Sequence, residues 1–384
     1  MENHRKKLKD SFIFFKNPTS IALELIIIVF CCGFGVQKNT GLRRAVCIPF
    51  AGCTQTAVPS TFSVQTAVPT AFSPRRVWRP LWGFWAHKRI NRLAVFRLPE
   101  EMQIFYKQNI DYLTENAVNP DKRRYAVVGE AERHFIDLDV YGDSAMYILP
   151  KYWPDAIKKI GEDSLRKHGI VPWHLQTAAY QLTEAFKAKD VKRILRLSAD
   201  LGHYVADAHV PLHTTRNYNG QLTGQEGIHG FWESRLPELF AADYDLWIGE
   251  AKYLDKITNE VWQVVAASHA ASDSVFLFEK QLSESFEPDK KYSYELRNNV
   301  LTRTYSKEFS EEYHHMLKGQ VQRGMKASIK MVGDMWYTCW VNAGQPDLGK
   351  LSSVALSANE KKEEAAEQQN WLRRLFRVRS EGDE

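Results

Sequence analysis

Beyond residue 82 the apolar positions recur at intervals of three and four. In Pro99–Val118, Met102, Phe105, Ile110 and Leu113 fall on one face, and Pro172 opens a second such segment ending at Lys189. Asp190 is placed to cap a third, Val191–His209, in which Leu197, Leu201, Tyr204, Val205 and Ala208 share a side. Val321, Met325, Ile329, Val332, Trp336 and Trp340 repeat the spacing further on. Strand-like alternation is scarce. The pattern predicts an all-α fold, a single multi-helix domain over 82–348, with the Met and Trp positions in its core.

Residues 1–81 form an irregular N-terminal extension. Basic residues from Arg5 to Lys16 precede an apolar run, Ile21–Val36, which is shorter than the ~20 residues of a bilayer span but fits a signal-peptide core. The expectation is export, to the periplasm or a membrane surface, with a short anchor as the alternative. Two near-copies, QTAVPSTFS at 55–63 and QTAVPTAFS at 65–73, read as a Thr/Ser/Pro-rich linker. The tail, 349–384, alternates acids and bases and ends with Trp371, Leu372, Leu375 and Phe376 among arginines. It fits either an amphipathic helix in peripheral contact with a membrane or a solvated helix.

Charge and cysteine sharpen this division. The formal charge of +5 separates into +8 on residues 1–81 and −3 on the other 303, so basicity says nothing about what the helical part binds. Cys339 is the one cysteine beyond residue 82, so the helical part contains no internal disulfide. No obligate protein partner is evident.

The densest chemistry lies in Leu201–Glu233. His203 and Asp207 stand four apart on a predicted helix, presenting an imidazole and a carboxylate to one point. Pro211 ends that helix, and His213 falls just past the break. His229 and Glu233 repeat the four-residue spacing after Gly227, and His209 is an alternative member of the set. Imidazole nitrogen and carboxylate oxygen are the usual donors to Zn²⁺, so two such pairs point to a zinc site. Phe135, Tyr218, Phe231 and Trp232 lie close to these residues in sequence, where they would pack around the site or contact a base or lipid chain.

Upstream stand Trp82-x4-His87, Asp121, and His134 followed by Asp137 and Asp139. The order and spacing of this whole set resemble the superfamily of bacterial zinc-dependent phospholipases C and zinc-dependent single-strand-specific nucleases. That resemblance implies an all-α enzyme with two or three zinc ions. It assigns Asp121, His134, His203 and Asp207 to a first ion and His213, His229 and Glu233 to a second. A third would take His87, a bridging Asp207 and the backbone of Trp82. Asp137 and Asp139 are alternatives to Asp121, and are better read as partners of a ligand histidine. In the family the tryptophan is the mature N-terminus. Here Trp82 follows Arg79-Pro80-Leu81, which is not a signal-peptidase site, so a third ion depends on processing that exposes it.

The implied reaction is hydrolysis of a phosphodiester by metal-activated water, with Asp121 as the catalytic residue that orients the water or takes its proton. Glu233 stands where the phospholipases carry Glu and the nucleases usually Asp, which favours phospholipid over single-stranded nucleic acid. The charge of −3 leans the same way. A different class, a membrane-associated protein with a structural zinc site, is the remaining alternative.

Overall fold

The computed structural model describes residues 83–297 and 300–352, all within the unit Pro74–Glu384. The leader, the linker, Trp82 and the tail beyond 352 lie outside the described residues. As the periodicity predicts, the chain is all-α, the exception among the described residues being one two-stranded hairpin. No described helix is long and apolar enough to cross a membrane.

The helices Val171–Ala188 and Val191–Ala208 form the centre. Lys189, at φ 54°, ends the first, and the Asp190 carboxylate accepts from the Arg193 amide at 3.0 Å to start the second. So short a link makes the two antiparallel neighbours. They bury Leu182, Phe186, Ile194, Leu195, Leu201 and Val205. The helix Gln320–Asn342 packs on both and on Phe84–Val95, and its Trp336 indole donates to the Ser198 carbonyl at 3.0 Å. Ile257–Ser285 closes another side, with Ser268 Oγ donating to the Ala208 carbonyl at 2.7 Å. That bond satisfies a carbonyl otherwise left bare where the helix ends.

Phe84–Val95 approaches Val191–Ala208 closely because residue 202 is glycine. A Cβ there would lie 2.0 Å from Asn91 Oδ1. The buried Asn91 amide reaches Ala199 O at 3.1 Å and Leu113 O at 3.3 Å, joining three segments.

Two expectations need correction. Pro99–Val118 is not one helix but Glu100–Gln108, Ile110–Glu115 and a 3-10 turn, Asn116–Val118. Asn109 Nδ2 donates to Phe105 O at 2.8 Å, and Asn116 Nδ2 to Tyr112 O at 2.9 Å. Such local bonds compete with the helical ladder. The second correction is the antiparallel hairpin, β1 (Tyr292–Arg297) and β2 (Val300–Tyr305), pairing Tyr292 with Tyr305, Tyr294 with Arg303 and Leu296 with Leu301.

A buried ion pair holds the other end of Phe84–Val95. Arg97 Nη1 lies 2.9 Å from Asp334 Oδ1, while its Nε and Nη2 donate to the carbonyls of Gly249 and Glu250, each at 2.8 Å. Asp334 also accepts from the Lys252 amide at 2.8 Å and from Lys330 Nζ at 2.7 Å.

Candidate metal centre

The helix Val191–Ala208 presents His203 and Asp207 one turn apart on its buried face. Pro211 then tightens the chain into the 3-10 turn Pro211–Thr214, which carries His213 back toward them. The loop that follows returns at Gly227, φ 97°, to start Ile228–Gly230, which runs into a π turn, Phe231–Arg235. His229 and Glu233 sit on these two short pieces.

His134 ends the 3-10 turn Ala131–His134 and is locked from two directions. The Ile136 amide donates to His213 O at 2.9 Å, and His213 Nδ1 donates to His134 O. Behind it, Val171 N reaches Phe135 O at 3.1 Å where Gly169, φ +86°, passes so close that a Cβ would stand 2.2 Å from that oxygen. Asp121 comes from the short helix Asn119–Arg123, and His87 from Phe84–Val95.

Among the described residues these side chains form three donor groups: His134, His203 and Asp207; His87, Asp121 and His203; and His213, His229 and Glu233. Within each, the ligand atoms lie inside 4.8 Å of one another. His203 Nε2 is 3.2 Å from Asp207 Oδ2 and 3.7 Å from Asp121 Oδ1. His134 Nδ1 is 2.8 Å from Asp207 Oδ2, 3.1 Å from His203 Nε2 and 3.8 Å from Asp121 Oδ1. His87 lies flat on His203, ring centroids 4.0 Å apart, with Nε2 3.4 Å from Asp207 Oδ1. In the last group Glu233 Oε1 is 3.0 Å from His229 Nε2, and Oε2 is 3.5 Å from His213 Nε2.

The tautomers follow from the outward bonds. His203 Nδ1 donates to Ala117 O at 2.9 Å, His229 Nδ1 to Tyr218 O at 3.0 Å, and His213 Nδ1 to His134 O. A neutral imidazole has one proton, and in all three it is committed to a backbone carbonyl. The Nε2 atoms of His213 and His229 therefore turn their lone pairs toward Glu233, while His203 Nε2 and Asp207 Oδ2 converge on His134 Nδ1, 3.1 Å and 2.8 Å away. That is an arrangement a cation satisfies, and it is how metal-binding histidines are normally oriented.

Electrostatics agree. Burial pushes the imidazoles of His87 and His134 well below their ordinary value, with His203 adding to it in both. Burial lowers His203 too, against the Asp121 charge and the bond to Ala117. Burial also raises the Asp121 and Asp207 carboxyls to about 7, opposed by the neighbouring His203 and His213 respectively. Glu233 differs: burial would raise it, but the charge and N–H bonds that His229 and His213 give it when they carry a second proton, standing where a cation would, hold it far down. Around Asp121 and Asp207, imidazoles held below their ordinary value stand beside carboxyls raised above theirs, which leaves that group short of positive charge.

The three groups thus contain every described residue of the sequence-derived set, with Asp121 falling beside His87 as well as beside His203. His209 stays outside them, its Nδ1 donating to Val205 O at 2.7 Å. Asp137 and Asp139 do not support a ligand histidine. Asp137 lies 3.6 Å from His168 Nδ1, and Asp139 accepts from Thr215 Oγ1 at 2.9 Å and from the Arg216 amide at 3.0 Å. Phe231 and Trp232 are buried, Phe231 stacking on Tyr305 at 3.8 Å and Trp232 donating to Gln320 at 2.9 Å. Tyr218 is half exposed, its ring edge-on to His229 at 6.0 Å.

Sequence reasoning overlooked Arg124. Its guanidinium acts electrostatically on Asp121, Asp207 and His134, and no ion pair holds it among the described residues. Its position three residues after Asp121, on the same short turn, was the available signal.

No protein-family model matches this chain, and no curated protein sequence is significantly similar to it. Among solved structures, the crystal structure of Clostridium perfringens alpha-toxin from an avian strain aligns at a TM-score of 0.40 and 15% identity. The alignment covers 68% of this chain and 65%, just under two thirds, of that one.

Proposed function

We propose that this chain is a zinc-dependent phosphoester hydrolase acting on phospholipid. The observation that carries the reading is the set of three imidazoles whose Nδ1 protons are tied to backbone carbonyls, so that their Nε2 atoms converge with buried carboxylates in groups whose donor atoms lie within 4.8 Å of one another. His134, His203, Asp207 and Asp121 would hold one ion, and His213, His229 and Glu233 a second. His87 and Asp207 would hold a third, together with the backbone of Trp82 once that residue is a chain end. Bound zinc would supply a water acidified toward neutral pH and charge to balance the attacked and leaving oxygens.

The chain's own residues do the rest. Asp121 turns Oδ1 toward the imidazoles, while Oδ2 is buried with no hydrogen-bond partner among the described residues. That second oxygen is suited to orient the attacking water and take its proton. Arg124, whose charge reaches Asp121 and Asp207, is a cation suited to meet the phosphate oxygens of the substrate. The near-complete burial of the histidines and carboxylates keeps bulk water away from them and strengthens each of these interactions. The basic leader and the apolar run Ile21–Val36 support export or membrane association.

Phospholipid is preferred because Glu233 matches the lipid-cleaving branch of the resemblance and because the helical part carries −3. Half-exposed Tyr218 beside His229 favours the second reading, a single-strand-specific nuclease, since a base stacks on such a ring. The test is zinc content after dialysis, followed by hydrolysis of phosphatidylcholine, single-stranded DNA and a soluble phosphodiester. Retained zinc with phosphatidylcholine cleavage is expected, and DNA cleavage alone would select the nuclease. A chain without zinc, or one whose zinc cleaves none of the three, overturns the hydrolase.

A further inference from the structure

The hairpin is buried at one end and bare at the other. Side chains alternate across a strand, so the pairs Tyr292 with Tyr305, Tyr294 with Arg303 and Leu296 with Leu301 all lie on one face. At the root, Tyr305 is buried against Phe231 and Phe309, and Lys291 Nζ sits 5.4 Å from the Tyr292 ring while pairing with Glu279 at 2.8 Å. Further out the face is exposed: Tyr294 is 69% exposed, Leu296 71% and Leu301 66%.

The order of residues along this face is chemically informative. Rings come first, then a cation, then leucines. The Arg303 guanidinium lies 3.6 Å from the centre of the Tyr292 ring and has no carboxylate partner among the described residues. Glu295, on the opposite face, is neutralised by the Arg235 guanidinium, whose Nη1 is 2.9 Å away. The hairpin therefore presents uncompensated positive charge beneath an apolar end. Tyrosine and arginine favour the headgroup layer of a membrane, and leucine the acyl layer beyond it. Anionic headgroups complement Arg303.

The hairpin is also tied to the metal centre. Phe231 and Arg235 belong to the π turn that carries Glu233, and Arg235 Nε donates to the Tyr305 carbonyl at 3.2 Å. We propose that this hairpin is the element by which the hydrolase docks on a lipid surface, with Leu296 and Leu301 among the acyl chains and Arg303 at the phosphate level. The inference rests on the lipid reading of the site and names where that substrate's surface is engaged.

The experiment is hydrogen exchange of the full, zinc-loaded chain with and without vesicles of phosphatidylcholine and phosphatidylglycerol, read at the amides of 292–305. Vesicles should slow exchange there. The double variant Leu296→Glu/Leu301→Glu should lose that protection and cleave vesicle lipid at least about tenfold more slowly. It should hydrolyse a soluble phosphodiester at the parent rate, which shows that its fold and centre are intact. Arg303→Gln should weaken the protection on phosphatidylglycerol more than on pure phosphatidylcholine. Hairpin amides unchanged on vesicles that sediment the chain would overturn the proposal. So would protection that grows with protein concentration in the absence of lipid, which would make the face a contact between two copies. Failure of the hydrolase reading looks different: the parent chain would leave the soluble phosphodiester uncleaved, whatever its hairpin does on vesicles.

Discussion

Arg97 and His203 stand at the centres of two buried polar clusters assembled on opposite rules. Around Arg97 the donors meet acceptors: the guanidinium reaches Asp334 and two loop carbonyls, and Asp334 receives an amide and a lysine in return. Around His203 the acceptors crowd together, because its proton is turned away to the Ala117 carbonyl while its Nε2, Asp207 and Asp121 all converge on His134 Nδ1. Burial is equally complete in both. A buried network that is satisfied internally ties segments together, whereas one crowded with acceptors has the chemistry to hold a cation.

That difference can be broken from either side. The largest effect is expected at the centre itself: His203→Ala or Asp207→Asn should lower phosphodiester hydrolysis by about 10³-fold or more, with zinc per chain falling by metal analysis. The metal-free Asp207→Asn protein should unfold in urea no earlier than the metal-free parent, since a carboxyl that resists ionisation has been replaced by a neutral isostere. Asp334→Asn should do the reverse. Removing one partner of a buried pair costs about 3–5 kcal/mol, so its urea midpoint should drop while zinc content holds.

Zinc itself should stabilise the fold by about 2.7 kcal/mol at a hundredfold excess over its Kd, seen as a rise in Tm that a chelator reverses. Asp334→Asn should show the same increment.

Proton competition gives a smaller, graded effect. In the metal-free protein Asp121 and Asp207 are raised from 3.8 to about 7, so below that pH both tend to hold protons that a metal must displace. Zinc affinity, measured against a competing chelator, should climb from pH 5 to 7 and then level off. An affinity that falls over this range would contradict the assignment of these carboxylates as ligands. The smallest effect belongs to Arg124→Ala, which should raise KM about tenfold with zinc content unchanged, whereas His168→Gln should alter neither.

The fold's long helices were legible because their apolar spacing and caps are local. Val191–Ala208, with its Asp190 cap, departs from the sequence expectation by one residue at its end. The break at Asn109 was not legible, since it arises from a side chain choosing a carbonyl four residues back. The hairpin escaped notice because its alternating face is largely bare, so the usual signal of a half-buried strand is weak. In the candidate centre, spacing located each histidine–carboxylate pair that the fold brings together, but spacing could not tell Asp121 from Asp137 or Asp139. That choice depends on which segments lie across from His134, and Asp137 is drawn off by His168.

Gly202 has a consequence for how this site tolerates change. Replacing a helical glycine by alanine ordinarily strengthens a helix by about 1 kcal/mol. Here the added methyl would have to move Asn91 and, with it, the helix that lays His87 on His203. Substitution by alanine thus sets backbone preference against the spacing of the ligand rings. The width of the candidate metal centre is gauged by a hydrogen atom, one residue before its central histidine.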